Sequence, residues 1–229
     1  MPDIAIPIVF PDYLIAVNTP PQSFEVPDLI PGFDILPERV TVPSTKNKLP
    51  ELGHAGILFI NGKTGTTKYY EYGRYQSAQG NVRKIPIRDV KIDMSGHPTP
   101  LTLSYTLSQI SKRSGQNGRI AGAYIEVPGK YQAMLDYSLR RYKQNSDANR
   151  APYELLWNSC NHFMKGVLDA AGVDTPAMVD PRPNSYIEEI RSDFRDLDYD
   201  PKGKGIILES PPEGLGAWFS NIFSQPAGQ

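Results

Sequence analysis

Proline is concentrated at the start of this chain, where ten of the 22 prolines fall within the first 50 residues. Because proline fixes φ and has no amide hydrogen, this density rules out long helices there. Apolar residues such as Ile8, Val9 and Phe10 lie between the prolines, which indicates contact with the rest of the protein. We therefore expect residues 1–50 to form an extended arm packed on a body that spans residues 51–200.

The composition is that of an ordinary folded protein, with 229 residues of which 39% are hydrophobic and 21% charged. The net charge of −1 provides no overall positive field, so we expect no binding to nucleic acid. The single cysteine excludes an intrachain disulfide, and the three histidines add few ligands for zinc. The GKTGTTK run resembles a phosphate-binding loop only superficially, because it lacks the second glycine-lysine placement. We expect no metal and no cofactor.

The first residues, MPDIAIPIVFPDYLIAV, lack the positive start and the continuous apolar stretch of a secretory signal. No run approaches the roughly 20 apolar residues that span a bilayer. We expect a protein that is made in the cytoplasm without a signal peptide, so that any export uses a route that reads no cleaved leader.

Runs of β-forming residues predict a small antiparallel sheet that begins at residue 54. HAGILFI and TKYYEYGRY are separated by NGKTGT, whose Asn-Gly pair and second glycine suit a tight reversal. VRKIPIRDV at 82–90 and RIAGAYIEV at 119–127 are two further strand candidates. Apolar spacing and capping residues then predict helices over 100–115, 130–145 and about 185–195.

A further helix is predicted in NSCNHFMKGVLDAAGV, where Asn158 or Ser159 can cap the start and Gly172 can end the helix. Its apolar stripe is formed by Phe163, Met164, Val167, Leu168 and Ala171. Cys160 therefore lies in the first turn. There, free backbone N–H groups and the positive end of the helix dipole favour a thiolate and could hold an oxyanion. Free cysteines are also often simply buried, so reactive and structural roles both remain open.

A nucleophilic cysteine needs a base, and the chain offers His54, His97 and His162. His162 is rotated by about 200° from Cys160 on the same helix, and His97 lies in a loop. His54 opens a strand beside two small residues, which leave room for another element, so it is the best candidate. Glu71 on the partner strand could orient the imidazole if the turn is centred near residues 63–64.

The last twenty residues hold an apolar stripe with helical spacing, between a Pro-Pro pair and a Pro-Ala-Gly end. It consists of Leu215, Trp218, Phe219, Ile222 and Phe223. DPKGKG at 200–205 is typical of a loop, so we treat residues 201–229 as a C-terminal tail with a short amphipathic helix. The stripe could dock on the protein's own surface or contact a partner or a membrane.

GHAGILFING, followed by a second strand and much later by YELLWNSCNHFMKGVLDAAG, resembles the circularly permuted papain-like hydrolases. These include permuted NlpC-type peptidases, PPPDE peptidases and lecithin:retinol acyltransferase-like enzymes, which place a histidine at a strand start before a cysteine that opens a helix. The likeness covers about 50–175. It implies an α+β fold in which Cys160 is the nucleophile, His54 the base and Glu71 the third polar residue. The box here is Asn-Ser-Cys rather than Asn-Cys, so no role of Asn158 carries over.

The run GHAGILFINGKTGTTKYYEYGRY, with GAYIEV and PRPNSYIEEIR, also resembles bacterial effector domains associated with type VI secretion. That resemblance implies an antibacterial cysteine amidase or peptidase that is delivered into neighbouring cells and acts on peptidoglycan peptides. A cognate immunity protein and a component of the secretion apparatus are the implied partners.

Two other functions remain open at the same site. The substrate could be a lipid ester, in which case the stripe in the tail would contact a membrane. Alternatively, the hydrolase fold could have become a binding module, for which Cys160 would be dispensable.

Overall fold

The structure, a computed structural model, describes residues 1–16, 22–25, 39–42, 48–49, 53–75, 79–203 and 205–209. The strands within these residues are β1 (Ile4–Phe10), β2 (Ile15–Ala16), β3 (Gln22–Glu25), β4 (Arg39–Val42), β5 (Lys48–Leu49), β6 (His54–Ile60), β7 (Thr67–Gly73), β8 (Asn81–Ile85), β9 (Ile120–Glu126), β10 (Arg195–Asp200) and β11 (Gly205–Leu208). The helices are α1 (Pro100–Ser114), α2 (Tyr131–Lys143), α3 (Cys160–Ala170) and α4 (Pro183–Arg191), and a short 3-10 helix covers Gln144–Ser146.

Seven strands form one antiparallel sheet in the order β11-β10-β9-β1-β6-β7-β8. Outside it, β2 pairs with β5 and β3 pairs with β4. Helix α1 packs on one face of the large sheet, and α2, α3 and α4 pack on the other, so the sheet separates two apolar cores. The α+β class is as expected, but the sheet is larger than the small one predicted because both ends of the chain contribute strands.

Strand β1 lies in the middle of this sheet, antiparallel to β6 on one side and to β9 on the other. All seven of its residues are buried. The ladder with β9 skips Ile6 and Pro7, because proline has no N–H to donate. The arm expected over residues 1–50 is therefore corrected for residues 4–10, which belong to the core. The sheet also continues past residue 200 into β11, so the body does not end there.

The predicted hairpin is confirmed as β6 and β7. Its turn is held by Asn61, whose Oδ1 accepts hydrogen bonds from the backbone N–H groups of Lys63 and Thr64, both at 3.0 Å. The resulting register pairs Gly56 with Glu71. Because side chains alternate along a strand, Glu71 and His54 project from the same face of the hairpin.

The strands and helices predicted after this hairpin are present as β8, β9 and α1 to α4. Strand β8 ends at Ile85, five residues before the predicted end, because Pro86 cannot donate to a strand ladder. Within the loop expected at 200–205, residues 201–203 form a turn between β10 and β11. The apolar stripe of the tail lies outside the described residues and stays a prediction. In the described part of the chain, none of the helices combines the length and the apolar character needed to cross a membrane.

Candidate active site

Helix α3 begins at Cys160 because the residue before it is a cap. Ser159 is extended, with φ −111° and ψ −178°, and its side chain accepts a hydrogen bond from the backbone N–H of His162. His162 reciprocates, since its Nδ1 lies 3.4 Å from the backbone nitrogen of Ser159 and 2.9 Å from its Oγ. This is a capping box in which histidine takes the place usually held by Glu or Gln.

The position of Cys160 is fixed by the apolar face of α3. Phe163, Met164, Val167 and Leu168 are fully buried in the core that α3 shares with β6 and β7. Cys160 is buried, with an exposed fraction of 3%, and the backbone of Ala55 at the start of β6 lies close enough to help lower the pKa of its thiol. The helix therefore presents Cys160 to the start of β6.

His54 and Glu71 meet this thiol from the hairpin. The His54 side chain lies beside Cys160, so that each of the two shifts the pKa of the other, and its Nε2 lies 3.4 Å from Oε2 of Glu71. Glu71 is 1% exposed, and its Oε1 lies 3.7 Å from Nη1 of Arg83, which is partly exposed. The structure thus brings together the three residues that the sequence analysis selected.

Three tyrosines also contact these groups, and the sequence analysis missed them. The hydroxyl of Tyr75 lies 3.1 Å from His54 Nε2, and Tyr69 donates a hydrogen bond of 3.2 Å to Glu71 Oε2. Tyr153 donates to the sulfur of Cys160 at 3.7 Å. With 13 tyrosines in the chain, no local pattern distinguishes these three from the others.

The electrostatics of the cluster favour a charged pair. Burial alone raises the pKa of the Cys160 thiol, but the hydrogen bond and the positive charge of His54 outweigh it and hold that pKa below its ordinary value. Burial alone lowers the pKa of His54, but hydrogen bonds and negative charges from Cys160 and Glu71 raise it to about 10. Burial likewise raises the pKa of Glu71, and its contacts with His54 reverse the sign. Each of these shifts is in the direction that favours the charged form, namely thiolate, imidazolium and carboxylate.

The other two histidines have different surroundings. Nδ1 of His97 lies 3.0 Å from the hydroxyl of Tyr124, which belongs to the core on the α1 face of the sheet, whereas Cys160 belongs to the opposite core. His162 caps α3, and burial followed by the positive charges of Arg141 and Lys165 lowers its pKa.

Asn158 does not contact the thiol among the hydrogen bonds of the described residues. Its Nδ2 donates to the carbonyl oxygen of Pro152 at 2.8 Å and to the hydroxyl of Tyr72 at 3.1 Å, and its Oδ1 accepts from Arg141 at 3.0 Å. It therefore holds the segment that leads into α3. Within the described part of the chain, no group of three or more His, Cys, Asp or Glu side chains could hold a metal ion.

The fold and the site define an α+β protein whose seven-stranded sheet and four described helices surround a buried cluster of cysteine, histidine and glutamate. The model of the TseH-like type VI secretion system effectors matches residues 5–175, and the chain belongs to that family. The match begins within β1, in agreement with the central place of this strand in the sheet.

A solved structure supports the same assignment. The crystal structure of the type VI secretion system effector TseH is 33% identical to this chain, with a TM-score of 0.72 over 91% of this chain and 98% of that one. No curated protein matches significantly.

Proposed function

We propose that this effector is a cysteine hydrolase that cleaves amide bonds in the peptide part of peptidoglycan, with Cys160 as nucleophile, His54 as base and Glu71 as the group that orients His54. The proposal depends on one observation above all. The thiol at the start of α3 lies beside His54, which lowers its pKa, and a buried carboxylate contacts the same imidazole. Nucleophile, base and orienting group in that order are the arrangement of Cys-His hydrolases.

The chemistry follows from the charge state of the cluster. The Cys160 thiolate attacks the carbonyl carbon, and the C–N bond breaks as the His54 imidazolium transfers its proton to the leaving amine. This leaves a thioester on Cys160 and a neutral imidazole. His54 then takes a proton from water, the hydroxide attacks the thioester, and the carboxylic acid departs with the thiolate restored.

The start of α3 can stabilise the oxyanion of each tetrahedral intermediate. The first N–H groups of a helix have no partner within the helix, and the helix dipole adds positive potential there. Such groups are effective when they are fixed before the reaction, because no reorganisation is then needed. The Ser159–His162 capping box provides that rigidity at the first turn.

The resemblance to permuted papain-like hydrolases supports the same assignment. Their order of base before nucleophile agrees with His54 on β6 and Cys160 on α3. Since the thiol is only 3% exposed, a substrate reaches it only after neighbouring side chains such as Tyr153 move.

Family membership supplies the biological setting of the proposal. A type VI secretion system effector is delivered into target cells by the secretion apparatus, and its producer needs an immunity protein against it. Peptidoglycan is the substrate that we propose because its stem peptides offer amide bonds outside the inner membrane of the target cell.

The proposal is tested by expressing the wild type and Cys160→Ala in bacteria, with and without an added periplasmic leader. We expect lysis only when wild-type protein carries the leader, because both the thiol and access to peptidoglycan are needed. Lysis by Cys160→Ala at the wild-type rate would instead favour a non-catalytic module. Lysis by wild type without peptide release, but with ester cleavage in liposomes, would favour the lipid substrate.

A further inference from the structure

Tyr75 follows strand β7, and its ring folds back over the end of that strand. Residue 73 is a glycine, and a Cβ placed there would lie 3.0 Å from Cζ and 3.1 Å from the hydroxyl oxygen of Tyr75. The absence of a side chain at Gly73 therefore leaves room for the ring. The ring stands edge-on to the imidazole of His54, at an interplanar angle of 89°, and its hydroxyl oxygen lies 3.1 Å from His54 Nε2.

Arg83 of strand β8 holds the same tyrosine. Its guanidinium carbon lies 4.3 Å from the centroid of the Tyr75 ring, and its Nη1 lies 3.7 Å from Oε1 of Glu71. Glu71 is the partner of Arg83 in the β7–β8 ladder, and its Oε2 lies 3.4 Å from His54 Nε2. His54, Tyr75, Arg83 and Glu71 therefore form a closed ring of contacts, in which each side chain touches two others.

The hydrogen in the contact between Tyr75 and His54 belongs to Nε2. Both ring nitrogens are donors in an imidazolium, and a pKa of about 10 for His54 favours that form. A carboxylate can only accept, so Nε2 also keeps its hydrogen beside Glu71 when the imidazole is neutral. The oxygen of Tyr75 therefore accepts from Nε2. Burial, followed by the negative charge of Glu71, raises the pKa of Tyr75, so its hydroxyl stays neutral.

Tyr75 makes the shorter of the two contacts with Nε2. Hydrogen bonds from a charged nitrogen to a carboxylate are usually about 2.7–2.9 Å long, and the 3.4 Å between Nε2 and Glu71 exceeds that range. The 3.1 Å between Nε2 and the Tyr75 oxygen is ordinary for an N–H···O hydrogen bond. Glu71 thus supplies negative charge, and Tyr75 supplies the closer acceptor. Because both groups lie at Nε2, Nδ1 is the ring nitrogen left to exchange a proton with Cys160.

We propose that Tyr75 is a positioning residue of the candidate active site, whose hydroxyl accepts the hydrogen bond from Nε2 and so holds His54 with Nδ1 toward Cys160. The inference rests on the proposed hydrolase function and adds a side chain that acts through His54. The same contact stabilises the imidazolium, because a hydrogen bond from a charged donor is stronger than one from a neutral donor. Removal of the hydroxyl should therefore make the Cys160 thiolate less stable.

The test is the pH dependence of Cys160 alkylation by iodoacetamide in the full chain carrying Tyr75→Phe. Phenylalanine keeps the ring and its contact with Arg83 but has no hydroxyl. We expect the midpoint of the rate against pH to rise by about one pH unit, as is typical for the loss of one hydrogen bond to a charged group. The circular dichroism spectrum should stay that of the wild type. If the ring served only for packing, the midpoint would not move.

Tyr105→Phe on α1 is the matched control, because Tyr105 also has an arginine over its ring, with the guanidinium carbon of Arg88 5.4 Å from the centroid. The described hydrogen bond of its hydroxyl is with Gln109, and the control should leave the midpoint unchanged. An unchanged midpoint in folded Tyr75→Phe would overturn the inference. A lower midpoint would also overturn it, since Tyr75 would then donate to Nε2.

A second measurement needs no tyrosine variant. In Cys160→Ala, at a pH where His54 is neutral, 15N NMR should show the imidazole hydrogen on Nε2. A hydrogen on Nδ1 would overturn the inference, because Nε2 could then not donate to Tyr75. Alkylation and NMR require no substrate, so a failure of the hydrolase function, which sacculus digestion by the wild type reveals, is distinguishable from a failure of this inference.

Discussion

The position of Cys160 has two opposing effects on the pKa of its thiol, one from burial and one from the neighbouring groups. Burial penalises the thiolate, whereas His54, the backbone of Ala55 and the hydroxyl of Tyr153 stabilise it, and the second group prevails. His54 is subject to the same competition, with Glu71 supplying the negative charge that favours the imidazolium. Removing one partner therefore leaves the other buried without compensation.

The first prediction concerns the pH dependence of thiol alkylation by iodoacetamide. In the wild type, the midpoint of the rate against pH should lie below the ordinary thiol value of 9.0, because the thiolate survives at lower pH. His54→Ala should move the midpoint above that value, since burial then acts alone. His97→Ala is the control and should not shift it, because the described contacts of His97 are with Tyr124 and Glu126 and not with Cys160, His54 or Glu71. A wild-type midpoint at or above 9.0 would refute the charged pair.

At the scale of elements, the site depends on one hairpin and one helix start. The turn at residues 61–66 sets the register that puts Glu71 on the same face as His54, and the capping box starts α3 at Cys160. The turn and the capping box each depend only on residues close together in the sequence. The buried face of α3 then packs on β6 and β7, and this packing brings the hairpin residues next to Cys160.

The second prediction concerns the cap of α3. Ser159→Ala removes an acceptor of the His162 backbone N–H and should lower the free energy of unfolding by about 1 kcal/mol. Ser104→Ala on α1 is a suitable control, since the described residues give its side chain no hydrogen bond, and it should change stability by less than about 0.5 kcal/mol. Urea unfolding monitored by circular dichroism measures both. Equal stability of the two variants would show that the capping box contributes nothing.

Local signals explain what could be predicted from the sequence. The Asn61 turn and the apolar stripe of α3 are short-range patterns, so the hairpin, the helix start and the candidates Cys160, His54 and Glu71 followed from them. The contact of Tyr75 with His54 has no such signal, because Tyr75 lies beyond the end of β7 and no periodicity places it. The pairing of β1 with β9 joins residues more than one hundred positions apart, so no local pattern predicts it.

At the scale of the whole molecule, the N-terminal strand holds the sheet together. Strand β1 connects the β6-β7-β8 half to the β9-β10-β11 half, and it contributes side chains to both cores. The elements that position the site therefore depend on residues far from it in sequence. A family match that begins at residue 5 agrees with this dependence.

The third prediction tests that role. Ile6 is fully buried, and Ile6→Ala should lower the free energy of unfolding by about 2–5 kcal/mol, because it leaves a cavity in the core. Ile207→Ala on the edge strand β11 is the matched control, as Ile207 is 44% exposed, and it should cost less than about 1 kcal/mol. Unfolding midpoints in urea report both changes. If both variants lowered the free energy of unfolding by less than about 1 kcal/mol, residues 4–10 would behave as a loosely packed arm and not as a central strand.

The central claim is that the Cys160 cluster cleaves peptidoglycan peptides, and digestion of purified sacculi tests it most directly. Wild-type protein and the His97→Ala control should release soluble peptide fragments detectable by mass spectrometry. Cys160→Ala should release them at least about a thousandfold more slowly while keeping the wild-type circular dichroism spectrum, because the nucleophile is absent but the fold remains. Release of the same fragments at the wild-type rate by Cys160→Ala would contradict the account.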